Sequence, residues 1–111
     1  MGIEPETKIY RAVGEVELSS VLWTTQFSVL PNGSQVKYFR LNLEETLVFA
    51  DLVFNIDVVA VLEVSIPSAT LQRVGDFTKV DAYIFKSGTV EISSELLDDF
   101  NNAIISIVHK Y

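Results

Sequence analysis

In Ile9-Tyr10-Arg11-Ala12-Val13 a guanidinium stands in the middle of an apolar, strand-forming pentapeptide. Arg11 there can grip a phosphate or carboxylate with two parallel hydrogen bonds; the plainer reading is a salt bridge, or a side chain that snorkels past a sheet edge. Glu91 sits in Thr89-Val90-Glu91-Ile92 and, by the two-residue period of a strand, points away from Val90 and Ile92. Turned to a cleft, its carboxylate could act as a base or stabilise developing positive charge; turned to water it does neither. Tyr38 and Phe39 offer flat faces for a planar ring, unless one is core and the other covers a sheet edge. Lys37 and Arg40 could meet a phosphate together or stand as two solvated strand residues. Trp23 reads as core or interface, and Asp98-Asp99 as a solvated helix face.

Several chemistries are excluded. The chain has no cysteine and one histidine, His109, so thiolate nucleophiles, disulfides and thiolate metal sites are absent, and a histidine-based triad or metal cluster is disfavoured. No metal motif, phosphate-cradling glycine loop or GxSxG elbow occurs. Fifteen acids against eight bases give a net charge of -7, a field that repels phosphate backbones and disfavours nucleic acid as a partner. No apolar run reaches the ~18 residues of a membrane span, and MGIEPETKIY has no charged segment followed by an apolar one. A cytoplasmic protein without membrane or metal is expected.

The elements that must position these residues follow from periodicity. With 111 residues, nearly half apolar, one core is expected: a flexible leader over 1–8 and a single domain over 9–111. Ile9 to Val13 reads as a strand, and Gly14 with Glu15 and Glu17 opens a helix that buries Leu18, Val21 and Leu22. Phe27–Leu30 and Val36–Phe39 read as extended segments around a turn at Pro31-Asn32-Gly33-Ser34. Asn42 and Glu45 have capping-box spacing and start a helix through Thr46, Leu47 and Phe49 to about Asp51 or Val53. Val58–Ile66 is a β-branched central strand with Leu62, Val64 and Ile66 on one face and Glu63 and Ser65 on the other, stopped by Pro67. The segment Leu71–Lys79 has no assigned type. Extended stretches follow at Ala82–Phe85 and Thr89–Ile92 around Lys86-Ser87-Gly88. Ser93, Glu95 and the recurrence of Leu96, Leu97, Phe100, Ile104, Ile107 and Val108 predict a last helix closed by His109 and Lys110. Strands clustered late and joined by tight turns give an α+β class: mostly antiparallel strands in one or two small sheets, with about three helices.

Together, Ile9-Tyr10-Arg11-Ala12-Val13 before an acid-led helix, Lys37-Tyr38-Phe39 running into Leu43-Glu44-Glu45-Thr46-Leu47, Ser65-Ile66-Pro67 at a strand end, and Glu95-Leu96-Leu97 with Phe100-Asn101 resemble small ADP-ribosyltransferase-like domains of bacterial polymorphic toxins. The resemblance implies NAD as substrate, Arg11 as the clamp on its phosphates or ribose, Tyr38 or Phe39 lining the nicotinamide pocket, and a late acid completing the site. The family's late acid would fall near Thr89; the acid present is Glu91, two residues on, and two residues along a strand keep the same face. The chemistry implied is cleavage of the nicotinamide–ribose bond, with a carboxylate stabilising positive charge on the sugar. It implies a protein target, and delivery into a cytoplasm if the chain is a toxin fragment. A second expectation is a catalytically inactive interaction module, immunity-type or regulatory, whose acidic surface meets a cognate basic protein. A third, a small toxin nuclease, runs against the lone histidine and the acidic balance.

Overall fold

The computed structural model describes residues 5–28, 36–53, 60–78 and 87–110. Its elements are β1 (Glu6–Val13), α1 (Glu15–Thr24), β2 (Val36–Arg40), α2 (Leu43–Val53), β3 (Ala60–Pro67), α3 (Ser68–Val74), β4 (Gly75–Thr78), β5 (Thr89–Ser93), α4 (Leu97–Ala103) and β6 (Ser106–His109). The strands form one sheet in the order β4-β5-β2-β1-β3-β6, every neighbouring pair antiparallel. The α+β class holds, with four helices among the described residues in place of about three.

Alternation along the strands divides the sheet into two faces. Ile9, Val13, Phe39, Leu62, Val64, Ile66, Val90 and Ile92 pack with Leu18 and Val21 of α1, Leu71 and Val74 of α3, and Leu97 and Phe100 of α4. That is the core face. At its centre Phe39 meets Phe27 edge-on at 5.1 Å between ring centroids and Phe100 at 5.0 Å, the separation at which aromatic pairs attract beyond their burial. On the opposite face α2 lies over β1 and β3 and buries Ala50 against Val61, flanked by Tyr10, Ala12, Leu43 and Leu47.

Several boundaries differ from expectation. β1 starts at Glu6, inside the expected leader, because Glu6, Thr7 and Lys8 continue the ladder to Pro67, Ile66 and Ser65. α1 buries Val21 and tucks in Leu18 but turns Leu22 outward, 60% exposed. It ends where Thr25 adopts the left-handed conformation and donates its N–H to the Val21 carbonyl. Asn42 caps α2 by accepting from the Glu45 N–H at 3.0 Å, while the Glu45 carboxylate turns away and accepts from the Ser87 N–H and hydroxyl. Ser87 and Gly88, with Gly88 at φ 98°, form the end of the expected turn. Of the segment Leu71–Lys79, residues 71–78 resolve into the end of α3 and β4, and Lys79 lies outside the described residues. Phe27 and Ser28 lie outside any strand. The expected turn at 31–34 and stretch at 82–85 lie outside the described residues.

The largest correction is at the end of the chain. The helix expected from Ser93 shrinks to α4 without a side-chain cap, and Ile104 turns extended to lead into β6. All of β3 from Ala60 to Ile66 is buried, Glu63 and Ser65 included, so its backbone groups need partners on both edges. β1 covers one edge and β6 the other, with Ile105 N–H donating to the Ser65 carbonyl at 2.8 Å and Lys110 N–H to Val61 at 2.9 Å. The β-branched residues of 104–108 suit that role better than a helix. Helical spacing in the sequence was satisfied only as far as Ala103.

Candidate functional site

Arg11 lies mid-β1, and what it holds is already on the chain. Its Nε and one terminal nitrogen donate to the two carboxylate oxygens of Glu17 at 2.6 and 3.0 Å, and its other terminal nitrogen donates to the Tyr38 carbonyl at 2.8 Å. The guanidinium also sits 5.9 Å from the Phe39 ring centroid, within cation–π range. Lys37 Nζ stands 3.4 Å from the same Glu17 carboxylate. The three charged groups form a half-buried cluster beside the core face, in which α1 supplies the anion and β1 and β2 the cations. Burial alone would raise the pKa of Glu17; hydrogen bonds from Arg11, its charge and that of Lys37 reverse this and hold the carboxyl below its ordinary value. Burial first and then the charge of Arg11 lower the pKa of Lys37, against the opposing pull of Glu17.

Glu91 is on the other face. Tyr10 is directly opposite Arg40 across β1 and β2, and Tyr38 is directly opposite Glu91 across β2 and β5. Opposed residues of antiparallel strands share a face, as do residues two apart on one strand. Tyr10, Arg40, Tyr38, Thr89 and Glu91 therefore share the α2 face, while Arg11, one residue from Tyr10, points to the core face. The expected pair Arg11 and Glu91 is separated by the thickness of the sheet. The same parity splits Lys37 from Arg40, and Phe39 from Tyr38. Phe39 is 0% exposed and lies in the core, not along a pocket.

What the α2 face does bring together is a row the sequence reading did not assemble. The Arg40 guanidinium donates to Thr89 Oγ1 at 2.7 Å and lies 5.7 and 5.6 Å from the Tyr38 and Phe49 ring centroids. Thr89, the position nearest the family's late acid, is buried and engaged by this arginine. Glu91 stands beside Tyr38 on one strand and Asp76 on the other, two carboxylates directly across from each other. The signal for this row was present in the spacing of Tyr38 and Arg40 and of Thr89 and Glu91, but reading it needs the register of β2 against β5. A further charged centre on this face is Glu63, which accepts from the Tyr10 hydroxyl at 3.2 Å, with Lys8 and Lys110 each 3.9 Å away. Burial, then the hydrogen bond and charge of Glu63, raise the pKa of Tyr10.

Among the described residues no group of three or more metal-ligating side chains converges, and no helix is long and apolar enough to cross a membrane. Asp98 and Asp99 are exposed, Asp99 paired with Arg73. Trp23 is 90% exposed on α1, which settles the choice posed by its sequence against core. No protein-family model matches the chain, and neither a curated protein nor a solved structure does. The ADP-ribosyltransferase resemblance rests on the motifs quoted above alone.

Proposed function

We propose that this chain is a non-catalytic interaction module that engages a protein partner through the outer face of α1. The observation that carries this reading is the surface of α1: Trp23 is 90% and Val16 81% exposed, with Leu22 at 60% beside them. Large apolar side chains gathered on one helix, an indole among them, are the composition of a contact surface rather than of a solvated one. The two residues a minimal NAD-cleaving site would require stand on opposite faces of the sheet, which weighs in the same direction. The test is affinity capture from the native host with wild type and Val16→Glu. Capture of one defined protein that the variant loses, without consumption of NAD, is the expected result. NAD consumption by the wild type that Arg11→Ala abolishes would overturn it.

The second reading, an NAD-dependent ADP-ribosyltransferase-like domain, draws support from one feature: Arg11 and Lys37 converge on one carboxylate, and a pyrophosphate is an anion that such a pair of cations suits. That reading requires Glu17 to give way. A thermal-shift titration with NAD on wild type, Arg11→Ala and Glu17→Gln decides it, since a ligand of the native state must raise the melting temperature. It predicts a shift that grows in Glu17→Gln and vanishes in Arg11→Ala.

A further inference from the structure

We infer that the outer face of α1 is self-complementary and that its occupant in the free protein is α1 of a second copy of this chain; the inference rests on the reading of α1 as a contact surface. Val16, Ser19, Ser20 and Trp23 fall at the i, i+3, i+4, i+7 positions of one stripe, and all four are exposed. The stripe is uncharged, large at its ends and small at its middle. A two-fold axis between Ser19 and Ser20 sets α1 antiparallel to its copy, and Val16 of each then meets Trp23 of the other. The serines let the helices approach closely at the crossing, and the indoles lie on either side of it. Leu22 extends the contact along one flank.

Charge favours the antiparallel arrangement. α1 carries acids in its first turn and no basic residue in its last. Antiparallel packing sets the two Glu15 side chains at opposite ends of the interface and the positive end of each helix dipole beside the negative end of the other. A parallel arrangement would bring the two acids together. Leu18 and Val21 stay in the core and Glu17 stays on Arg11, so pairing asks for no rearrangement of the monomer.

Size sets the strength. Covering the exposed parts of Val16, Leu22 and Trp23 on both copies removes on the order of 1,000 Å² of accessible surface, below the ~1,200 Å² in total at which stable interfaces begin. The dimer is therefore weak and concentration-dependent. Two copies of net charge -7 also repel, and salt screens that repulsion. Self-association should tighten as salt is raised. Binding of a basic partner to the same face would weaken.

The chain contains a single tryptophan, which is Trp23 itself. Its fluorescence reports on the proposed interface without labelling. The experiment is sedimentation equilibrium together with emission spectra across a concentration series at low and high salt, on wild type, Val16→Glu and Ser20→Arg. Both substitutions fall on exposed positions, and circular dichroism confirms that each variant folds. The expected result is a monomer–dimer equilibrium in which emission shifts to shorter wavelength as mass rises, more so at high salt, weakened about tenfold or more in both variants. A wild type that stays monomeric with unshifted emission would overturn the inference. So would a dimer that leaves emission unchanged, or one that both variants retain. The wider reading of α1 as a contact surface fails separately, if Val16→Glu captures the same host protein as wild type.

Discussion

The two faces of the sheet hold Arg11 and Glu91, and they treat these two charges in opposite ways. On the core face Arg11 is fastened by a bidentate pair, a backbone carbonyl and an aromatic ring, and shares its anion with Lys37. On the α2 face the Glu91 carboxylate forms no hydrogen bond or ion pair among the described residues and stands across from a second acid, Asp76. One charge is built into the structure; the other is set against a like charge. Whether two charged strand residues belong to one site depends on the parity of the ladder between them before it depends on their separation in space.

The contrast can be broken or sharpened by substitution. The largest effect belongs to the centre of the core face: Phe39→Ala should lower stability by about 3–5 kcal/mol, the cost of emptying a buried aromatic position. A loss under about 1 kcal/mol in urea unfolding would mean that the aromatic cluster is not the organising core. Next comes Arg11→Ala, which leaves Glu17 half-buried with Lys37 as its remaining cation and should cost about 2–3 kcal/mol. A double-mutant cycle with Glu17→Ala should recover most of that loss. If the single and double changes simply add, the pair is not coupled.

The same pair has a pH signature. Folding lowers the pKa of Glu17, so on acidification the unfolded chain takes up the proton first. The stabilisation is complete above the ordinary glutamate value of about 4.3 and is lost as pH falls below it. Melting temperatures recorded below pH 5 should fall less steeply in Arg11→Ala than in wild type; parallel curves would remove Glu17 from the acid limb.

Gly75→Ala, on the row opposite Ile92, should cost about 1–3 kcal/mol. Its methyl group would stand 2.5 Å from Val90 Cγ2 and 2.8 Å from the Leu71 carbonyl oxygen, and backbone has to move to admit it. An unchanged melting temperature would show that the α3–β4 joint is slack. The smallest effect belongs to the α2 face. Glu91→Gln removes one of two opposed carboxylates and should raise stability by about 0.2–1 kcal/mol. A clear loss instead would reveal a partner for Glu91 and reopen the search for a site there.

Much of the fold was legible in the sequence because the strands carry their own signals. The β-branched run into Pro67, the alternation around Glu91 and the Asn42 cap each place an element within a few residues of where it lies. The final segment misled because Leu96, Leu97, Phe100 and Ile104 keep helical spacing that local pattern alone cannot interrupt; the open edge of β3, over thirty residues earlier, decides where the helix stops. The candidate site was less legible for a related reason. That Arg11 is unusual can be read from five residues, but that its anion is Glu17 depends on how α1 folds back, and that Glu91 faces away depends on two ladder registers in series. The sequence leaves Trp23 between core and interface because an exposed and a buried tryptophan look alike in sequence.

The clasp between Asn101 and Phe27 bears on the order in which the chain organises itself. The Phe27 N–H donates to the Asn101 side-chain carbonyl at 2.8 Å, and the Asn101 amide donates back to the Phe27 carbonyl at 2.7 Å. A side-chain amide thus does the work of a neighbouring strand for the Phe27 backbone, and it comes from a residue made 74 positions later. During synthesis the stretch after α1 has no such partner until α4 emerges, and the edge of β3 waits still longer for β6. Pairings of such long sequence separation form slowly, and until they form they leave apolar edges bare. Truncated or stalled products of this chain should therefore be the species that chaperones hold.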